Sequence, residues 1–190
     1  MDLQHAMRSL VRGIPRLAFG GVPAERAGDS RLAWRRLRLR PSPGFRVLSD
    51  FAEDDPIPFA HSADGGSFAP PVMWSGVPAH ARSLVLLVED PDAPTPNPFL
   101  HWLVYGIPPQ AQSVGAALAG GASEGRNSML RSGWTGCAPP RGDRAHRYFF
   151  ELFALDQVPR LPARAGRSAV LGEMAGHVLG FGVLTGTYRR

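Results

Sequence analysis

Residues 84–102 read LVLLVEDPDAPTPNPFLHW, and the fold turns on how this stretch is parsed. The run SLVLLVED (83–90) is apolar without interruption until its last two residues. Unbroken β-branched and leucine residues over this length predict a strand buried on both faces. Pro91 then holds Asp90 in an extended conformation, and Pro94, Pro96 and Pro98 stiffen the connection and have no N–H of their own to offer a ladder. HWLVYGIP (101–108) re-enters as a second strand. If the two strands are neighbours, Asp90 and His101 meet at one end of a sheet. Asp90 and Asp92 stand two apart, so an extended chain aims both the same way.

Working outward, HRYFFELFALD (146–156) is a third strand, rich in aromatics and leucine. His146 and Tyr148 share one of its faces by parity and Arg147 takes the other. FRVLSDFA (45–52) and PPVMWSGVP (70–78) are short apolar pieces between turn residues, SAVLGEMAGHVLGF (168–181) has helical spacing, and GVLTGTYRR (182–190) is a last strand. Segment 109–135, rich in Gly, Ser and Ala, is a long irregular excursion of the kind that often carries function. There is no internal repeat. Strands come first and a helix late, so the expected class is mainly β, an antiparallel structure with peripheral helices.

Composition narrows the function. All 21 basic residues are arginine, and ten of them fall in residues 1–46 against Asp2, Glu25 and Asp29. Residues 47–190 carry the other 11 against 13 acids, so the basic character belongs to the N-terminal extension. That removes the main support for a nucleic-acid role of the domain. Leu3, Met7, Leu10, Ile14 and Leu17 recur at helical spacing, opposite Arg8, Arg12 and Arg16. The first 20 residues therefore read as a short amphipathic helix that packs on its own domain, joins a homodimer or touches a membrane surface. RLAWRRLRLR (31–40) is read as an edge strand or a linker. Arg12, Pro15 and Arg16 interrupt any signal-peptide core, no apolar run reaches about 18 residues, and a lone cysteine allows no internal disulfide, which together point to the cytoplasm.

A second polar cluster lies in GCAPPRGDRAHRYFF (136–150), where Pro139 and Pro140 cannot donate backbone hydrogen bonds and Gly142 permits a turn before His146. Two histidines at strand mouths, carboxylates beside them and a proline wall suit a phosphoryl group or another oxyanion. Cys137 is close in sequence to His146, so a Cys–His nucleophile is an alternative, and a His/Asp metal site is another. No tight metal spacing such as HxH or CxxC is present, and none is expected to bind. His177 reads as a structural residue on a helix face, His61 lies near the mouth of the site, and His5 and His80 read as surface residues.

These motifs together resemble one family. EDPDAPT…HW, PPRG…HRYFFELFALD, GHVLGFGVLTGTYRR and the earlier FAEDDPIPFAHSADGGSFAPPVMWSGVP (51–78) are similar to the phosphatidylethanolamine-binding proteins, in particular to the bacterial Raf-kinase-inhibitor-like branch. The resemblance covers about residues 44–190 and leaves 1–43 as a basic, partly helical extension. It implies two antiparallel sheets with Greek-key connections, a peripheral C-terminal helix and an anion pocket. Carried over residue by residue, that pocket comprises Asp90, Asp92, His101, Pro139, Pro140, His146 and Tyr148. The resemblance implies a non-catalytic module for a small phosphorylated ligand such as phosphoethanolamine, with no cofactor; the alternative is a regulator that inhibits a kinase or protease through the pocket rim. Gly136-Cys137-Ala138 stands where the family often has Gly-Pro, Asn127-Ser128 where it has Asn-Asp, and Trp134 where it has Tyr.

Overall fold

The computed structural model describes residues 25–190. Strand β3, Ser83–Asp90, is buried along its whole length. It lies at the centre of a five-stranded antiparallel sheet ordered β5-β4-β3-β6-β7, formed with Phe99–Ile107 (β4), Ser123–Glu124 (β5), His146–Leu155 (β6) and Val178–Tyr188 (β7). Strands β3, β4 and β5 are consecutive neighbours and β6 returns beside β3, which is a Greek-key connection. A second sheet pairs Arg46–Leu48 (β1) with Met73–Ser75 (β2). Among the described residues no helix is long and apolar enough to cross a membrane.

The continuous apolar run of β3 follows from having cover on both faces. Leu84, Leu86 and Val88 join a core with Val47 and Trp74 of the small sheet and with Tyr148 and Phe150 of β6. Val85 and Leu87 join a second core with Phe153, Phe181, Val170 and Met174. The last two belong to the helix Arg167–Met174, which covers that face. The expected helix over 168–181 is thus half right. Gly176 takes a left-handed backbone (φ 82°) that ends it, and the chain from Val178 runs as strand. His177 sits in the intervening turn rather than on a helix face, beside Asp156. The expected irregular excursion 109–135 contains a short helix, Val114–Ala119, whose Ser113 cap accepts the Ala116 N–H, and strand β5.

Residues 31–40 form neither edge strand nor plain linker. Ala33–Arg36 is a single helical turn laid against the second core. Trp34 stacks on Phe181 with ring centroids 5.8 Å apart. The reason is polar. Glu89 and Glu151 are fully buried on this face, and their carboxyl oxygens accept the N–H groups of Ala33 (2.8 Å) and Trp34 (3.2 Å). These are backbone donors that a helix start leaves open. Arg167 closes the group through a charged pair with Glu89. Burial, and then the Glu89 charge, push the Glu151 carboxyl well above its ordinary range.

An acid whose folded pKa is raised loses stabilisation as pH climbs from its unfolded value, about 4.3, towards the folded one. Glu151→Gln keeps an acceptor for Trp34 and removes the titration. Thermal unfolding between pH 5 and 8 is expected to show the variant gaining on the parent as pH rises. A melting-temperature difference that stays constant with pH contradicts the buried protonated acid.

Candidate functional site

One carboxylate at the end of β3 organises the site. Asp90 Oδ1 accepts the N–H groups of Asp92 (2.8 Å) and Ala93 (3.0 Å), which turns the chain out of the strand. Its Oδ2 accepts the Nδ1–H of His146 at 2.8 Å. His146 opens β6 and is buried, as is Asp90. Burial works against a charge on His146, but the hydrogen bond and charge of Asp90, with help from Asp143, outweigh it and raise the imidazole pKa. At its other edge, Nε2 stands 3.3 Å from Asp143 Oδ2 and 3.3 Å from Arg26 Nη1.

His101 reaches the same site by a backbone irregularity. In the β3–β4 ladder Val88 pairs with Trp102 and Glu89 with Leu100, so His101 is an extra residue in a β-bulge. Without it, strict alternation would put Leu100 and Trp102 on one face and His101 on the other. With it, Leu100 joins the second core, Trp102 joins the first, and His101 turns towards the site. Its ring packs against Phe99 (4.7 Å between centroids), Tyr148 (5.0 Å) and Trp134 (5.6 Å). The Thr135 carbonyl lies 2.6 Å from Nδ1 and can only accept, so Nδ1 carries the proton. Burial lowers the His101 pKa and the neutral form results. Nε2 is then an acceptor with no partner among the described residues. The two histidines are thus opposite in tendency: burial drives His101 towards the neutral, accepting form, and Asp90 draws His146 towards the protonated one.

Asp90, His101, Pro139, Pro140 and His146, five of the seven residues read as an anion pocket, line one cavity of about 640 Å³. Asp92 and Tyr148 do not line it. Asp92 lies beyond the strand end, where the chain is already turning, so the two-residue parity that paired it with Asp90 no longer applies. Its carboxylate faces Arg147, which donates from its backbone N (3.0 Å) and Nε (2.8 Å), and Arg144 (2.6 Å). Burial would raise this acid, but the arginines hold it below the usual carboxylate range. It is the anchor of an ion-pair network, which Arg147 extends to Asp29 at 2.7 Å. Tyr148 is on the predicted face but completely buried beneath His101, with no hydrogen bond to its hydroxyl. Burial pushes the phenol pKa far up, so it acts as packing under the histidine.

Cys137 is also fully buried, in the first core, and burial drives its thiol far above the ordinary range. A thiolate nucleophile paired with His146 is not supported by this environment. Among the described residues no group of three or more His, Cys, Asp or Glu side chains is arranged to hold a metal ion. His61 is a buried structural group, bonded to the Phe68 carbonyl (2.8 Å) and Asp50 (2.9 Å). His80 is exposed as expected. The predicted helix over residues 1–20 lies outside the described residues.

The sequence reading missed several parts. Phe99, Met129 and Trp134 give the cavity an apolar wall, and Arg131 is also in its lining. Asn127 fixes the loop behind it, donating to Gly133 and Thr135 and accepting from the Met129 and Arg131 N–H groups. Arg26 and Asp143 close over the Nε2 edge of His146. Arg26 lies in a segment read only as a charged extension. Asp143, in the GDR turn three residues before His146, was the more legible of the two.

Comparison with known proteins agrees with this geometry. The phosphatidylethanolamine-binding protein family model matches residues 48–189. A UPF0098 protein of Methanothermobacter thermautotrophicus is 41% identical over 140 residues, covering 70% of this chain and 91% of its own. The crystal structure of a phosphatidylethanolamine-binding protein homolog from Chlamydia trachomatis, CT736, superposes with a TM-score of 0.72 at 35% identity, covering 78% of this chain and 99% of its own. Escherichia coli YbcL, described as a member of the mammalian PEBP family, gives 0.70 at 30% identity, covering 77% and 99%. A family match across most of the chain, joined to a shared fold at this identity, establishes that the chain belongs to the phosphatidylethanolamine-binding protein family.

Proposed function

We propose that the cavity binds a small organic phosphate, of which phosphoethanolamine is the simplest probe, and that the protein is a non-catalytic binding module. The observation that carries this is the pair of histidines on one cavity wall, His101 with its Nδ1–H on the Thr135 carbonyl and its Nε2 open, His146 with Asp90 behind it. Asp90 favours the protonated form of His146, and a protonated imidazole together with Arg131 in the lining favours an anion. The Nε2 lone pair of neutral His101 favours a partner that carries a proton, which a phosphate monoanion does. The apolar wall and the volume of about 640 Å³ exceed the needs of bare phosphate and leave room for an organic moiety. The buried, protonated Cys137 supports a role without covalent chemistry, and a lone cysteine supports a cytoplasmic setting.

A second reading has one observation in its favour. Phe68 follows Ser67 of the cavity wall and Leu130 follows Met129, and both are about two-thirds exposed (67% and 70%). An apolar rim of this kind suits a protein partner such as a kinase or protease. Pull-down from a lysate of the native organism, with and without phosphoethanolamine, separates the two readings. A partner released by the ligand favours rim docking; no captured partner in either condition counts against it.

Isothermal titration calorimetry with phosphoethanolamine tests the main reading. Burial keeps His101 neutral, so binding of the anion is expected to take up a proton, and affinity is expected to rise as pH falls from 8 to 6. One linked proton limits the change to about tenfold per pH unit. His101→Ala is expected to abolish that pH dependence and to weaken binding by about tenfold, the loss of one hydrogen bond to a charged group. Equal affinity in parent and variant at every pH contradicts the site.

A further inference from the structure

Residues 25–32 lie outside the segment matched by the family model, and none of them lines the cavity, yet Arg26 touches His146, which does. The Gly28 N–H donates to the Pro91 carbonyl at 3.1 Å, which ties this segment to the Asp-Pro-Asp turn. Asp29 adds its pair with Arg147. So fixed, Arg26 extends its guanidinium over His146. One nitrogen donates to the Asp92 carbonyl and stands 3.3 Å from His146 Nε2; the other donates to Asp143 Oδ2 at 2.6 Å.

The Asp143 oxygen Oδ2 therefore sits between two side-chain nitrogens, Arg26 Nη2 at 2.6 Å and His146 Nε2 at 3.3 Å. A guanidinium and an imidazole N–H converging on one oxygen is the arrangement by which proteins hold a phosphoryl oxygen. Here the protein's own carboxylate fills it. The two carboxylates flanking His146 differ in how firmly they are held. Asp90 is almost wholly buried and accepts three hydrogen bonds. Asp143 also has three partners, Arg26, His146 and the Arg144 N–H, but its side chain is 22% exposed, on a turn carried by Gly142 with φ 82°. Its partner Arg26 is 32% exposed. A partly exposed ion pair on a glycine turn is held weakly, and another oxyanion can displace it.

We propose that Asp143 is a resident placeholder for the ligand's oxyanion and that Arg26, supplied by the N-terminal segment, is a binding residue of the site. When a phosphoryl group enters, the Asp143 carboxylate leaves on the Gly142 turn, and the phosphoryl oxygen takes the donors of Arg26 and His146. The exchange is of one anion for another, so neither Arg26 nor His146 is left without an anionic partner. The inference rests on the reading of the cavity as an organic-phosphate site. It adds that the N-terminal segment sets the affinity and that an internal acid competes with the ligand.

Three single-site variants of the full chain, titrated calorimetrically with phosphoethanolamine, test it. Asp143→Asn removes the competing charge and is expected to bind about tenfold more tightly than the parent, whereas Arg26→Ala is expected to bind about tenfold less tightly. Arg26→Lys is expected to restore part of the loss by returning the charge. If Arg26 and Asp143 form only a structural staple, both Asp143→Asn and Arg26→Ala will lower the melting temperature and leave affinity unchanged, and the proposal falls. Binding by the parent with Asp143→Asn equal to it or weaker overturns the placeholder while leaving the organic-phosphate reading intact. Absence of binding in parent and Asp143→Asn alike overturns both.

Discussion

The site depends on one buried carboxylate used in two directions. Asp90 Oδ1 takes two backbone N–H groups and turns the chain out of β3, and Oδ2 takes the Nδ1–H of His146 and so fixes the first residue of β6. A buried carboxylate is tolerable only with its oxygens satisfied and a countercharge nearby. That constraint raises the His146 pKa and fixes its ring orientation. The neutral His101 answers to a different constraint, the Thr135 carbonyl and a casing of aromatic rings. Two identical side chains are thereby given opposite tendencies within one cavity, and the proposed ligand chemistry rests on that contrast.

Much of this was legible in the sequence because the strong signals are local. The unbroken apolar run of β3 requires cover on both faces, and the structure supplies it. The aromatic strand at 146–155, the proline pair and the two histidines fall where their spacing put them. What failed was parity at its edges. Asp92 lies one residue past the point where the strand turns, so it faces the arginines instead of the cavity. His101 reaches the cavity because a bulge breaks the alternation of β4. A bulge has no sequence signature here, since no glycine marks it, and only the register with β3 reveals it. The helix over 168–181 was overextended because Val178 and Phe181 fit a helical stripe as well as a strand, and Gly176 decides between them.

The N-terminal segment was the least legible part, because its meaning lies in distant partners. Its arginines look like a solvated basic tail when counted. In the structure Arg26 meets Asp143, Asp29 meets Arg147, and a helical turn at 33–36 rests its open N–H groups on Glu89 and Glu151. Those two glutamates, embedded in apolar strands, would otherwise be unexplained. The resemblance to the family could not supply this, since the matched region begins at residue 48. The described part of the extension is thus bound to both faces of the central sheet, through the cavity wall on one and the buried acids on the other.

The central claim is that His101 and His146, whose pKa values are shifted in opposite directions, address one ligand. A crystal structure of the full chain grown with phosphoethanolamine tests it most directly. The account predicts a phosphoryl group within hydrogen-bonding distance of both His101 Nε2 and His146 Nε2, with Asp143 turned away. An empty cavity at saturating ligand, or a phosphoryl group bound elsewhere on the molecule with Asp143 still on His146, would contradict it.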